Sequence, residues 1–70
     1  MQISARNKLS GTVAGIDHGA VTTTVKIRLG GGDTVTASIT REAAEELALA
    51  EGTAVTAVIK ASDVLVATDA

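Results

Sequence analysis

Residues 21–29, VTTTVKIRL, carry the clearest structural signal in this chain. Val21, Thr23, Val25, Ile27 and Leu29 alternate with polar Thr22, Thr24, Lys26 and Arg28. This two-residue period is typical of a half-buried β-strand. The β-branched residues also suit a pleated surface that is covered on one face. The stretch therefore predicts a strand of an all-β fold.

Four further strand patterns lie on either side of this stretch, over residues 8–17, 34–39, 53–60 and 64–68. Gly11 and Gly15 in the first pattern indicate a bend, a bulge or a close backbone approach. The run Gly30-Gly31-Gly32-Asp33 lacks the GK[ST] ending of a phosphate-binding loop and precedes a strand, so we interpret it as a hairpin turn. His18-Gly19 predicts a second tight turn.

One helix is predicted, over residues 41–49. Thr40 is its expected N-cap, and Glu42 places a carboxylate in the first turn, where it offsets the helix dipole. The element order is β-β-β-α-β-β, which is that of an OB-fold-like small barrel. A small β-sandwich is the alternative. No linker or repeat interrupts residues 1–70, so we interpret them as a single domain.

The apolar fraction of 46% overstates the hydrophobic core, because 13 of these residues are Ala and none is aromatic. Domains this small are usually stabilised by disulfides, metals or partner chains. The absence of Cys excludes disulfides and thiolate metal sites. The single His18 argues against a metal held by direct side-chain ligation. The composition therefore predicts a homo-oligomer.

Composition and spacing argue against several functional classes. The net charge of −2 argues against broad nucleic-acid binding. No stretch approaches the roughly 20 apolar residues of a membrane span, and no secretory signal is visible, so we expect a cytoplasmic protein. No acid–base pair or triad is spaced for catalysis, and His18 is interpreted as a surface turn residue. We therefore expect that the protein is not an enzyme and that it has no catalytic residue and no organic cofactor.

Two short segments concentrate hydrogen-bond donors: Ser4-Ala5-Arg6-Asn7-Lys8 and Lys60-Ala61-Ser62-Asp63. A tetrahedral dianion requires this mixture, because charged donors make short, strong bonds while hydroxyls and backbone amides fill the remaining acceptor positions. A simpler interpretation stays open from the residues alone. In it, these are solvated surface charges, and Lys60 pairs with Asp63 across a turn.

The same residues resemble a known family. Residues 3–11, ISARNKLSG, and residues 57–64, AVIKASDV, resemble the two hallmarks of the molbindins (Mop proteins) and related TOBE domains. Residues 40–52 resemble the family's helix and following turn. The resemblance implies an OB-like β-barrel and a homohexamer arranged as a trimer of dimers. It also implies binding of molybdate or tungstate at subunit interfaces, for storage or homeostasis of molybdenum in the cytoplasm.

Carried over position by position, the resemblance implies an oxyanion site built from Ser4, Ala5, Arg6, Lys60, Ala61 and Ser62, with Asn7 as an adjacent contributor. The family has a second kind of site near a three-fold axis, for which Gly19 and Ala20 are the candidates here. Asp63 adjoins the principal site and would repel a dianion. Its side chain is therefore expected to point away.

Two rival functions are considered. TOBE domains also occur as molybdate-sensing regulatory modules of transport ATPases and of transcription regulators, although a 70-residue chain that starts at Met favours the free-standing protein. An OB-fold that binds single-stranded nucleic acid uses aromatic platforms and a basic groove. This acidic chain has no aromatic residue, so that rival is disfavoured.

Overall fold

The computed structural model describes residues 2–69, so residues 1 and 70 of the predicted domain lie outside the described residues. In chain order the elements are β1 (Asn7–His18), β2 (Thr22–Leu29), β3 (Thr34–Thr40), α1 (Arg41–Glu46), β4 (Ala54–Ile59) and a 3-10 turn (Ala61–Asp63). The strands form one antiparallel sheet in the order β3-β2-β1-β4, curled into a half-barrel. The predicted all-β, OB-fold-like architecture with one short helix is confirmed. The first four predicted strands match to within one residue at each end.

The long strand β1 bends at a β-bulge, where its register with β2 shifts between Val13 and Gly15. The bend lets β1 pair with β2 on one side and, through its first half, with β4 on the other. Gly11 permits a close approach, because a Cβ there would lie 2.6 Å from Ile27 Cγ2 and 2.7 Å from the Arg28 carbonyl oxygen. The bulge and the close backbone approach predicted from the glycines of the first strand are both confirmed.

The core lies on one face of this sheet and is small. Its buried side chains are Val13, Val25, Ile27 and Ala57. Thr23 is fully buried in the same alternating row of β2. Val21, in contrast, is 74% exposed, because it lies in the turn before β2 and not in the strand. The partly buried residues around this core are Ile16, Leu29, Val35, Ile39, Leu49 and Val55.

The glycine run forms the hairpin turn between β2 and β3, as predicted. The Leu29 N–H donates to the Asp33 carbonyl oxygen (2.8 Å), and the Gly32 N–H donates to the Leu29 carbonyl oxygen (3.0 Å). Gly32 has a φ of 96°, which glycine adopts without steric cost.

Helix α1 begins as predicted but ends earlier. The Thr40 hydroxyl accepts a hydrogen bond from the Ala43 N–H (3.1 Å), so the predicted N-cap is confirmed. The helix ends at Glu46 and not at residue 49, because Ala48 adopts a left-handed φ of 52°. The N–H groups of Ala48 and Leu49 then donate back to carbonyls of the last turn, at 3.0 and 3.1 Å. This is a Schellman motif, in which glycine is the usual left-handed residue.

Replacing Ala48 with glycine is expected to raise the free energy of unfolding by about 0.5–1 kcal/mol. The left-handed conformation costs a residue with a Cβ about 1–2 kcal/mol, and the greater freedom of unfolded glycine offsets part of the gain. The matched control Ala43→Gly, inside the helix, should lower the free energy of unfolding by about 1 kcal/mol. Urea denaturation measures both, and a loss of stability in Ala48→Gly would contradict the argument.

The predicted fifth strand is wrong for the isolated chain. After the 3-10 turn, residues 64–69 form no further strand, and the sheet of the described residues has four strands. Val64, Leu65 and Val66 are 48%, 94% and 89% exposed. The alternating pattern of β-branched residues is present, but a strand also needs a register of backbone pairs along its length, and β3 and β4 remain the two edges of the described sheet. We refer to residues 64–68 as the tail.

The half-barrel leaves an apolar groove of about 410 Å³ open. Residues of all three strands β2, β3 and β4 line it, together with two leucines after the helix, Leu47 and Leu49. Strands β3 and β4 are the two edges of the sheet. The groove is therefore the side on which the barrel lacks a closing strand.

Candidate functional site

The two predicted donor segments meet at one end of the sheet. Strand β1 begins at Asn7 and β4 ends at Ile59, and these two residues are register partners. The Asn7 side-chain amide nitrogen donates a hydrogen bond to the Ile59 carbonyl oxygen (3.2 Å). Residues 4–6 therefore enter the sheet where residues 60–62 leave it. The structure thus brings the predicted segments to a common place.

The predicted site residues differ in how far they are buried. Ala5 is 4% exposed and fixes the N-terminal segment against the fold. Asn7 is half-buried. The remaining predicted residues, whose side chains or N–H groups would face an anion, are exposed: Ser4, Arg6, Lys60, Ala61 and Ser62.

The turn after β4 is closed by its own hydrogen bonds. The Asp63 N–H donates to the Lys60 carbonyl oxygen (2.9 Å), and the Val64 N–H donates to the Ala61 carbonyl oxygen (3.2 Å). The first N–H groups of a helical turn have no partner inside it. At this turn those groups belong to Ala61 and Ser62, beside the Lys60 ammonium.

Both cations of the site are unpaired within the described chain. Over residues 2–69 the single ion pair joins Arg41 Nε to Glu45 Oε1, at 3.1 Å. The alternative in which Lys60 pairs with Asp63 is therefore not observed. Arg6 and Lys60 leave positive charge at this end of the sheet, while Asp63 is exposed at the end of the turn. That the Asp63 side chain points away from the site stays a prediction.

At the second predicted site, Gly19 and Ala20, one backbone N–H group already donates a hydrogen bond within the protein. The Gly19 N–H donates to the Thr22 carbonyl oxygen (2.7 Å) within the turn between β1 and β2. The Gly19 carbonyl oxygen accepts from Arg41 Nη1 (3.4 Å). The sequence did not indicate that Arg41 lies at this turn, because only the folded sheet brings the start of the helix beside it. This second site stays a prediction.

A shallow depression of about 360 Å³ lies elsewhere on the sheet, between β1 and β2. Ser10, Thr12 and Arg28 supply its polar groups, and Thr12 and Arg28 are register partners. It combines a cation with two hydroxyls, but it lacks a helical turn with free N–H groups. It was not predicted, because the strand register that unites these residues was not known.

His18 lies at the last position of β1 and not in the following turn. Its Nδ1 is 3.0 Å from the Thr23 hydroxyl, while the residue as a whole is exposed. Among residues 2–69, no three residues of the types His, Asp or Glu cluster closely enough to hold a metal ion. In the same part of the chain, no helix has the length and apolarity needed to cross a membrane.

Comparisons with known proteins identify the family and the fold. The TOBE domain family model matches residues 3–66. The chain is 47% identical over 66 residues to molybdenum-pterin-binding protein 3 of Clostridium pasteurianum, covering 94% of this chain and 97% of that protein. It is similar in structure to MopII of the same organism, with a TM-score of 0.90, 42% identity and coverage of 96% and 100%. It also resembles the cytoplasmic molybdate-binding protein ModG with molybdate bound, with a TM-score of 0.85 and 52% identity. That match covers 87% of this chain and 43% of ModG.

Proposed function

Because the chain belongs to the TOBE domain family, we propose that it binds molybdate, or the similar oxyanion tungstate, as a single molbindin domain over residues 1–70. One observation carries this proposal: two segments rich in donors meet where β1 begins and β4 ends, tied by the bond from Asn7 to Ile59. Two relatives, a molybdenum-pterin-binding protein and a molybdate-binding protein, support the same ligand.

The proposed ligand is the oxyanion itself and not a pterin-bound form. A flat ring system is usually held by stacking on aromatic side chains, and this chain has no Phe, Tyr or Trp. The donors at the site are instead small and charged, which suits four oxygens that share two negative charges. Arg6 and Lys60 would offset the charge, while Ser4, Ser62 and the amides of the turn would complete the hydrogen bonds. No bond is broken: the anion exchanges water for protein donors.

The site requires a second chain to exclude water. Five of its seven predicted residues are exposed, so an anion bound to one chain would remain largely hydrated. Charge-assisted hydrogen bonds strengthen where water is excluded. We therefore place the site at an interface of a homo-oligomer, the hexamer implied by the family resemblance.

The tail and the groove support association of this kind. The radius of gyration is 13.0 Å, against about 11 Å for a compact chain of this length, as expected if the tail extends from the body. The tail's apolar side chains do not fill their own groove, since Leu65 and Val66 remain 94% and 89% exposed. Five extended residues span about 17 Å, enough to lie along an edge strand. We place the tail of one copy in the groove of another.

The proposed role is storage or homeostasis of molybdenum in the cytoplasm. Reversible binding with no chemical step suits a buffer. Binding across an interface also couples ligand to assembly, because a ligand that binds only the associated state stabilises it.

Isothermal titration with molybdate, tungstate and sulfate tests the proposal, with the oligomeric state measured by light scattering in the same buffer. Molybdate and tungstate should bind, and sulfate should bind far more weakly. Sulfate is the matched control, because it has the same shape and charge but is smaller. Equal binding of sulfate, or no binding of molybdate to the folded protein, would refute the proposal.

The runner-up is a regulatory TOBE module of a longer protein, a transport ATPase or a transcription regulator. ModG, of which the match covers 43%, is a case in which a unit of this kind is part of a longer chain. Both alternatives use the same oxyanion site. They differ in whether the protein in its host carries further domains, which its mass in a host lysate measures directly.

Replacing His18 with alanine is expected to leave molybdate affinity within about twofold of wild type. The donors proposed for the principal site lie at the other end of β1, and His18 Nδ1 is already within hydrogen-bond distance of Thr23. A cost of about 1 kcal/mol in stability is expected from the lost bond. If the His18→Ala oligomer stays intact and takes up no molybdate, the principal site is misplaced.

A further inference from the structure

Asn7 differs from its neighbours in the candidate site because its donor is already in use. It is the first residue of β1 and forms the outermost register pair with β4, and it is half-buried while the donors around it are exposed. Its side-chain nitrogen donates to the Ile59 carbonyl oxygen at 3.2 Å. The acceptor is a carbonyl oxygen, so the group at this position must be the amide NH₂ and not the amide oxygen.

The acceptor lies one residue before the cationic turn. Ile59 is followed directly by Lys60 and then by the 3-10 turn Ala61–Asp63. The bond therefore joins the start of β1 to the point at which the chain turns into the donor segment. Its partners are 52 residues apart in sequence, and it lies at the outermost register pair of β1 and β4, where strand ends fray most readily.

We propose that Asn7 is a positioning residue: it holds residues 60–62 against residues 4–6 and does not itself bind the anion. This inference rests on the proposed function. Donors that are fixed before the ligand arrives bind it more tightly, because less conformational entropy is lost on binding. Asparagine suits the position, because aspartate would lack the donor and would add a negative charge beside a dianion.

The test uses Asn7→Leu, which keeps the approximate side-chain volume and removes the donor. In the absence of any anion, the amide protons of Asp63 and Val64 should exchange with solvent several-fold faster, as measured by NMR, because the turn they close has lost its attachment. Titration should show molybdate affinity reduced about threefold to tenfold, the size expected for one lost hydrogen bond. Asn7→Ser, which is too short to span the same distance, should behave alike and serves if Asn7→Leu does not fold.

Thr53→Val is the matched control. It also removes a bond between a side chain and the backbone, from the Ala50 N–H to the Thr53 hydroxyl at 3.1 Å, but it lies away from the site. It should lower the melting temperature to a similar extent and leave molybdate affinity unchanged. A loss of affinity in Thr53→Val would mean that the Asn7 effect is only one of stability.

The outcomes separate the alternatives. Weaker molybdate binding in Asn7→Leu with unchanged exchange in the ligand-free protein would make Asn7 a direct ligand and overturn the proposal. Faster exchange with unchanged affinity would overturn it as well, because the turn would then need no positioning. Failure of the wild-type protein to bind molybdate would refute the proposed function itself, and the wild-type titration alone identifies that case.

Discussion

Replacing Lys60 with alanine is expected to weaken molybdate binding by tenfold to a hundredfold. A dianion removed from water needs adjacent positive charge, and a charge-assisted hydrogen bond contributes about 1.5–3 kcal/mol. At 1.4 kcal/mol per decade, the loss of one such bond gives the stated range. The effect should be near its full size, because the Lys60 ammonium forms no ion pair within residues 2–69 that could compete for it. Isothermal titration, with the oligomeric state checked, measures it.

Two matched variants make this result specific. Arg28→Ala removes the cation of the depression between β1 and β2 and should leave molybdate affinity unchanged. A loss of affinity in Arg28→Ala with none in Lys60→Ala would place the anion in that depression. Asp63→Asn removes a negative charge beside the turn and should leave binding intact or strengthen it slightly, as Coulomb's law requires. Arg6→Ala should resemble Lys60→Ala if the guanidinium faces the anion.

The fold was predictable wherever the signal was local. The alternation in residues 21–29, the glycine run before β3 and the Thr40 cap each fix their own element, and each was confirmed. The helix end at Glu46 was not predictable, because alanine seldom adopts the left-handed conformation that Ala48 has here. The tail was misassigned for a different reason. Its residues have strand propensity, but a strand also needs the free edge of another strand to pair with. The sequence of the tail alone does not show whether such an edge is within reach.

The sequence predicted the two donor segments of the candidate site, but it did not predict that they lie next to each other in the fold. Residues 4–8 and 60–63 stand out by composition, whereas their meeting depends on the pairing of Asn7 with Ile59, a register that no local pattern specifies. The family resemblance supplied that connection in advance. Contacts made through the finished sheet, such as that of Arg41 with Gly19, had no signal in the sequence.

Replacing both Leu65 and Val66 with aspartate is expected to convert the proposed oligomer into smaller species, with association weakened about a thousandfold. Each apolar side chain that leaves water contributes about 2 kcal/mol, so two of them contribute about 4 kcal/mol, or roughly three decades in the dissociation constant. In the single chain these two side chains are almost fully exposed to solvent, so the substitutions should cost the folded monomer little stability. Sedimentation velocity over a concentration series measures the change. Val21→Asp, at a comparably exposed valine in the β1–β2 turn, is the matched control and should leave the assembly intact.

The identity of the groove's occupant can be tested directly, because the chain has no native cysteine. Leu65→Cys and Val35→Cys are prepared as separate proteins, mixed under conditions that allow subunit exchange, and oxidised. If the tail of one copy lies in the groove of another, a disulfide-linked dimer that contains one of each protein should form, identified by its mass. The doubly substituted chain gives the complementary result: linked multimers if the tail reaches a neighbouring copy, and an internally cross-linked monomer if it folds back on its own groove. Residues 60–62 of the anion site lie directly before the tail. If the tail of one copy lies in the groove of another, the anion site is therefore held at the interface between the two copies. An internally closed monomer would remove the reason for placing it there.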